Sequence, residues 1–361
     1  MDLADHRDLL TSEAVPPLLA LAHEALAACH ADLLTARQTV LSARDPVGIH
    51  GTRVALRRLR AAATLFGRPL ADDMILALRA DAKVLADACG ATRDLDVFLA
   101  GVLKEADASL APYPDVSRDL RAFRAAAMRL RRTRHDAARR VLSGETFTAF
   151  DSRLARLLAM PVRHIPVVPP LQLPEPPAPG ANALQSAIPG GLVLPQPAAP
   201  TTDPMPGVPA VAPLPDALDF ARDILRRRDR KLRKGLDRFG KLDGGARHAL
   251  RLRVKKQRYA AAFLAKLFDH KAADAYIHAA AKLQDALGLA NDRIVAAKVV
   301  ADIRAAARPK GRLDWVAGVL TGWLAMRAQA GGDDERALAA AGKRFVRASR
   351  FWRRDEDGEK K

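Results

Sequence analysis

Apolar positions along this chain recur at intervals of three and four, and runs that alternate apolar with polar residues are missing. Valine, isoleucine and threonine are not gathered at period two, so no strands are expected and the pattern reads as all-α. Proline and glycine cut it into helices. In the first part these are predicted over residues 16–43, 46–66, 70–88, 92–107, 114–142 and 145–159. In the second they fall over 216–239, 245–268, 270–287, 291–307, 311–330 and 333–352.

Between the two series the helical pattern stops. Residues 161–215 hold 17 of the 24 prolines and carry few charges. Such a stretch cannot build a core, and an extended, flexible linker is expected there. The expected organisation is a helical half over 1–160, the linker over 161–215, a second helical half over 216–354 and a charged tail over 355–361. Equal helix numbers on either side of the linker point to an internal repeat.

The repeat is present at an offset of 198 residues. His50 aligns with His248, Arg53 with Arg251, Arg57 with Lys255, Arg58 with Lys256 and Arg60 with Arg258. Both copies read His-x-x-Arg-x-x-x-basic-basic-x-Arg. Without a change of register, Gly90 meets Gly288 and Asp94 meets Asp292. One gapless offset that keeps a histidine, the basic positions, a glycine and an aspartate marks a duplication.

At 100° per residue, His50, Arg53, Arg57 and Arg60 share an arc of about 80°, while Leu56, Leu59 and Phe66 lie on the far side, where a core stripe belongs. His248, Arg251, Lys255 and Arg258 share an arc in the same way. Each helix so presents a basic ridge about 15 Å long. Like charges three and four residues apart repel, and something must offset them. One reading supplies acids from neighbouring helices, with Asp94, Asp96 and Asp292 as candidates. The other supplies an anion, held by the paired, charge-assisted hydrogen bonds of guanidinium groups and the point charge of lysine. A row of such groups suits a repeating anion better than a single small one. Arg131, Arg134, Arg227 and Lys231, from the basic runs at 129–140 and 226–238, are candidate extensions of the groove.

Three roles compete for His50 and His248: a neutral imidazole bonded near a helix start, a phosphate donor once protonated, or a metal ligand. No His-x-x-x-His pair or clustered carboxylates accompany them, which argues against a metal. No catalytic residue and no cofactor is assigned, and the chain reads as non-enzymatic. Gly90 and Gly288 are expected to end helices in the left-handed conformation, with Asp94 and Asp292 in the first turn of the next.

Composition sharpens the choice of ligand. Lysine and arginine number 59 against 41 acids in 361 residues, a formal charge of +18. Such an excess repels itself but suits a polyanionic partner. Nucleic acid is the weaker candidate, because aromatic residues are only 5% and do not interleave with the basic runs. Cys29 and Cys89 sit in apolar helical stretches and make neither a disulfide framework nor a zinc site. The opening "MDLADHRDLL" lacks a cationic region followed by an apolar run, so no signal peptide is expected. The first long apolar stretch is interrupted by His23, Glu24 and His30, so no membrane insertion is expected and a cytoplasmic location fits.

The segments "HGTRVALRRLRAAATLF" and "HALRLRVKKQRYAAAFL", with the turns "GATRDLDVFL" and "LQDALGLANDRIVA", resemble the CHAD domain, the conserved histidine α-helical domain. The resemblance covers nearly the whole chain outside the linker. It implies two antiparallel helical bundles, related by a pseudo-twofold axis around a basic central groove or pore. It also implies binding of inorganic polyphosphate through the motif residues, here His50, Arg53, Arg57, Arg58, Arg60, His248, Arg251, Lys255, Lys256 and Arg258, and association with polyphosphate granules. The Glu-x-Glu-x-Lys signature of a triphosphatase domain, which some members carry, does not occur. Gly51 departs from the pattern by loosening the start of the first motif helix, and Asn291-Asp292 stands where the first turn has Arg93-Asp94.

Overall fold

A computed structural model of the chain describes residues 18–70, 73–160, 216–239, 244–307, 311–329 and 332–353. The linker expected at 161–215, the first 17 residues and the charged tail lie outside these. Among the described residues the regular structure is all helical. In the N-terminal half run α1 (Leu18–Ser42), α2 (Pro46–Leu70), α3 (Asp73–Ala88), α4 (Gly90–Val97), α5 (Leu103–Leu110), α6 (Pro114–Ser143) and α7 (Glu145–Ala159). In the C-terminal half run α8 (Ala217–Leu236), α9 (Gly244–Leu264), α10 (His270–Ala286), α11 (Leu289–Ala306), α12 (Gly311–Gln329) and α13 (Gly332–Arg347). The helix predicted over 92–107 is present as α4 and α5 joined by a π-helical turn, Phe98–Val102. One extra residue in that turn re-aims the helix, and buried Phe98 packs edge-on to Phe123 of α6.

Local chemistry sets the helix starts. Asp216 caps α8 by accepting from the amides of Leu218 (2.8 Å) and Asp219 (3.0 Å), and Asp269 caps α10 by accepting from that of Ala272 (2.7 Å). At the head of α2, Asp45 accepts from the Val47 amide at 2.7 Å. Gly51 does more than loosen that helix. A Cβ there would stand 2.9 Å from Cβ of Ala36, so the glycine lets α2 lie tightly on α1.

Burial follows the predicted stripe. On α2 the buried positions include Ile49, Leu56, Leu59, Ala63 and Phe66; on α9 they include Leu250, Val254, Gln257, Ala261 and Leu264, spaced by three and four. Each motif helix is flanked in the same manner, α2 by α1 and α3, α9 by α8 and α10. Two apolar cores result, and neither is confined to one half of the sequence. The larger joins α1, α2, α3, the end of α6 and α7 to α8, α9, α10 and α13; the smaller joins α4, α5 and the rest of α6 to α11 and α12. Within the larger core, Phe66 of α2 meets Phe220 of α8 and Phe263 of α9, each with ring centroids 6.4 Å apart. Among the described helices α1 is long and apolar enough to cross a membrane, yet its leucines at 18, 21, 26 and 33 are buried in this core.

Candidate functional site

The two motif helices pack directly on each other. Lys255 of α9 lies within the electrostatic reach of Arg53, Arg57 and Arg60 of α2, while Phe66 and Phe263 touch further along. Contacts at nearly equal places in the two copies mean that α2 and α9 run side by side in one direction. Their ridges therefore converge on one groove.

Neutralisation by nearby acids fails for most of this ridge. Among the described residues no carboxylate comes within 4.0 Å of the cationic groups of Arg53, Arg57, Arg60, Arg251, Lys255 or Arg258. Arg58 is different: it ion-pairs with Asp32 of α1 and faces away from the groove. Of the three aspartates proposed to offset the ridge, Asp96 is committed elsewhere, and Asp94 acts on Arg53 only through space. The Nε atoms of Arg53, Arg60 and Arg251 are buried and have no hydrogen-bond partner among the described residues. A buried donor left unmatched is costly, more so when charged. Arg53 does find one acceptor, the Ala86 carbonyl at 2.6 Å, and Arg258 donates to Oε1 of Gln284 at 3.2 Å.

The crowding shows in proton affinities. Burial first, then Arg57, Arg251, Arg60 and Arg53, push the Lys255 ammonium down to about 8. Partial burial, then Arg93, Arg57 and Arg53, hold the His50 imidazole below its ordinary value, which favours its neutral form. His248 is exposed on the first turns of α9, and Lys256 is exposed with its carbonyl accepting from Arg228.

The two glycines of the repeat serve a purpose other than the one expected. Neither is left-handed; Gly288 has φ −76°. A Cβ on Gly90 would stand 3.2 Å from Nη1 of Arg53, and one on Gly288 would stand 3.6 Å from Nη2 of Arg251. Gly90 thus makes room for the motif arginine of its half, whereas at Gly288 the tight neighbour is the Asp285 carbonyl, 2.9 Å from where a Cβ would stand, and Arg251 lies at ordinary contact distance. Asp94 lies past the first turn of α4, whereas Asp292 is in the first turn of α11 as expected.

Beside Arg53 the groove opens into a cavity of about 360 Å³, where Arg134 and Lys298 meet Asp87, Asp94 and Asp302. Arg134, nominated as an extension of the groove, therefore reaches it, bound to Asp302 at 3.0 Å. Lys298 was not singled out from sequence, although the repeat gave a clue: it lies six residues past Asp292 on the same helix. Burial raises the Asp94 carboxyl, against the lowering effect of Arg53, Lys298 and Arg134.

The remaining nominations need correction. Arg131 does not extend the groove. It is buried, pairs with Asp96 and donates to the Arg44 carbonyl at 3.0 Å, which ties α6 to α4 and to the start of α2. Arg227 pairs along its own helix with Asp223 at 2.9 Å and is exposed. Lys231 is exposed on α8, one turn from Arg228, which reaches the Lys256 carbonyl. Replacing Arg131 by alanine is accordingly expected to destabilise the fold by about 3–5 kcal/mol, because it strands the buried Asp96. Urea denaturation measures this, and intact stability with weakened anion binding would return Arg131 to the groove.

Fold and site together define a helical protein in which two basic helices of one repeated motif meet, with no acid among the described residues ion-paired to most of their groove-facing cations. The sequence model of the CHAD domain matches residues 24–301, and the chain belongs to the CHAD domain family. The fold is similar to the crystal structure of the CHAD domain from the plant Ricinus communis, at 23% identity and a TM-score of 0.69, covering 94% of this chain and 96% of that one. It is also similar to PptA from Streptomyces chartreusis, at 16% identity and a TM-score of 0.55, covering 92% and 99%. No curated protein sequence matches the chain.

Proposed function

We propose that this protein binds inorganic polyphosphate in the groove between α2 and α9, without catalysing its turnover. The observation that carries this reading is the convergence of Arg53, Arg57, Arg60, Arg251 and Lys255 with no ion-paired acid among the described residues. A folded protein keeps such a costly arrangement where a ligand relieves it. A linear polymer with a charge on every phosphate matches two parallel ridges better than any compact anion does. The CHAD resemblance points to the same ligand, and a place at polyphosphate granules in the cytoplasm belongs to this proposal.

Binding through six cations (Arg53, Arg57, Arg60, Arg251, Lys255 and Arg258) should release counterions. By analogy with single-stranded nucleic acid, log affinity should fall against log salt with a slope of about −4. Titration of long-chain polyphosphate from 50 to 300 mM salt measures it, and a flat dependence would sink the groove. The same assay, run in competition with single- and double-stranded DNA at matched charge, should favour polyphosphate. Equal competition by DNA would indicate a nucleic-acid-binding protein instead.

A further inference from the structure

Outside the groove, the side of α8 that meets the end of α13 carries a second concentration of positive charge. Arg226, Arg230, Arg233, Lys234, Arg350 and Arg353 line a cavity of about 360 Å³, with Trp352 in its wall. Two carboxylates, Asp229 and Asp237, share it. Asp229 is buried and fully engaged: Oδ1 accepts from the Tyr276 hydroxyl at 2.9 Å, and Oδ2 accepts from Nε of Arg233 at 2.7 Å and Nε of Arg350 at 3.1 Å.

This carboxylate acts as a mount for two guanidinium groups. Both arginines spend Nε on it, which leaves the terminal nitrogens of Arg350 for other partners. Arg233 gives Nη1 to the Val346 carbonyl, but its Nη2 is buried with no partner among the described residues. The Arg350 side chain makes no hydrogen bond beyond Asp229 among the described residues. Solvated surface arginines are not held this way; Arg227, earlier on α8, simply pairs with Asp223 on its own helix. The Arg350 guanidinium edge held in place by Asp229, the charge of Arg233 behind it, a concave wall and four further cations suit the gripping of tetrahedral, multiply charged oxyanions.

We infer that this cavity is a second anion site, separate from the groove, which takes a phosphoryl group bearing two or more charges. Its size, about 360 Å³, suits a short anion, either the terminus of a phosphate polymer or a phosphate monoester, rather than an extended chain. The inference does not depend on polyphosphate being the ligand of the groove.

The test uses the full chain with the groove disabled by Arg57→Glu and Lys255→Glu, so that failure of the polyphosphate reading leaves it intact. Calorimetric titration at low salt with pyrophosphate and, separately, with phenyl phosphate represents the two sources. Saturable binding of one equivalent of either probe is expected, weakened at least tenfold by adding Arg230→Glu and Arg353→Glu. These two side chains are exposed and bury no core; should the glutamates disturb folding, Arg230→Gln with Arg353→Gln is expected to weaken binding severalfold. Absence of saturable binding by both probes, or binding undiminished in the folded variants, overturns the inference.

Discussion

Replacing Arg57 and Lys255 together by glutamate is expected to abolish polyphosphate retention while leaving the helical content unchanged. The two residues occupy equivalent positions in the duplicated motif, and they meet where α2 and α9 lie side by side. The exchange turns two positive charges into two negative ones at the centre of the groove, so the polymer would meet repulsion where attraction is strongest. Both side chains are half-buried and neither belongs to the apolar cores, whose stripes run through Leu56, Leu59, Val254 and Ala261. Folding should therefore survive. Filter retention of long-chain polyphosphate and circular dichroism read the two halves of this expectation. Full retention by a variant with native helicity would show that the ridges do not hold the polymer.

Lys255→Met is expected to make the ligand-free protein more stable and a poorer anion binder. Burial and four arginines lower the lysine from 10.5 to about 8. At roughly 1.4 kcal/mol per tenfold change in proton affinity, the cost relieved at pH 7 is at most about 3.5 kcal/mol, and smaller because water screens the partly exposed ammonium. Methionine keeps the length and apolar stem and removes the charge.

The pH dependence has a definite sign. Between about 8 and 10.5 the unfolded chain holds a proton on Lys255 that the folded protein has lost, so folded stability rises with pH across that window. The stability gain of Lys255→Met should thus be complete below pH 8 and close as pH approaches 10.5. Binding runs the other way: a bound anion raises the lysine, so wild-type affinity is full below about 8 and declines above it, with proton uptake measurable by titration in buffers of different ionisation enthalpy. Thermal melts of the two proteins from pH 7 to 10 read the folding side. A variant less stable than wild type at pH 7 would mean that the positive charge at position 255 is already compensated.

Much of this architecture was legible before any coordinates. Helix bounds follow from proline, glycine and the spacing of apolar residues, because those act locally; the α7 range of 145–159 is the same from pattern and from structure. The π-helical turn at 98–102 was not legible, since it depends on where Phe98 finds Phe123. The motif positions were legible because duplication prints the same residues twice in one register. Their roles divided only in three dimensions. Arg57 and Arg58 are neighbours in sequence and look interchangeable, but about 100° of helical rotation sends one into the groove and the other to Asp32. Arg131 and Arg134 come from a single basic run, and one is buried on Asp96 while the other lines the groove with Asp302.

The glycines make the same distinction. Their recurrence at 90 and 288 was plain, but the local rule assigned them a left-handed turn, whereas Gly90 clears space for Arg53, 37 residues away in sequence, and Gly288 for the Asp285 carbonyl. By itself, then, the sequence determined that the protein is helical, duplicated, strongly basic and organised around two His-Arg motifs, all of which depend on neighbours within a few turns of chain. Only the tertiary structure decided which cations remain unpaired, that the two ridges share one groove, and that Asp229 mounts a second set of arginines elsewhere. Those outcomes depend on which charges packing brings within a few ångströms, and side chains far apart in the chain settle that.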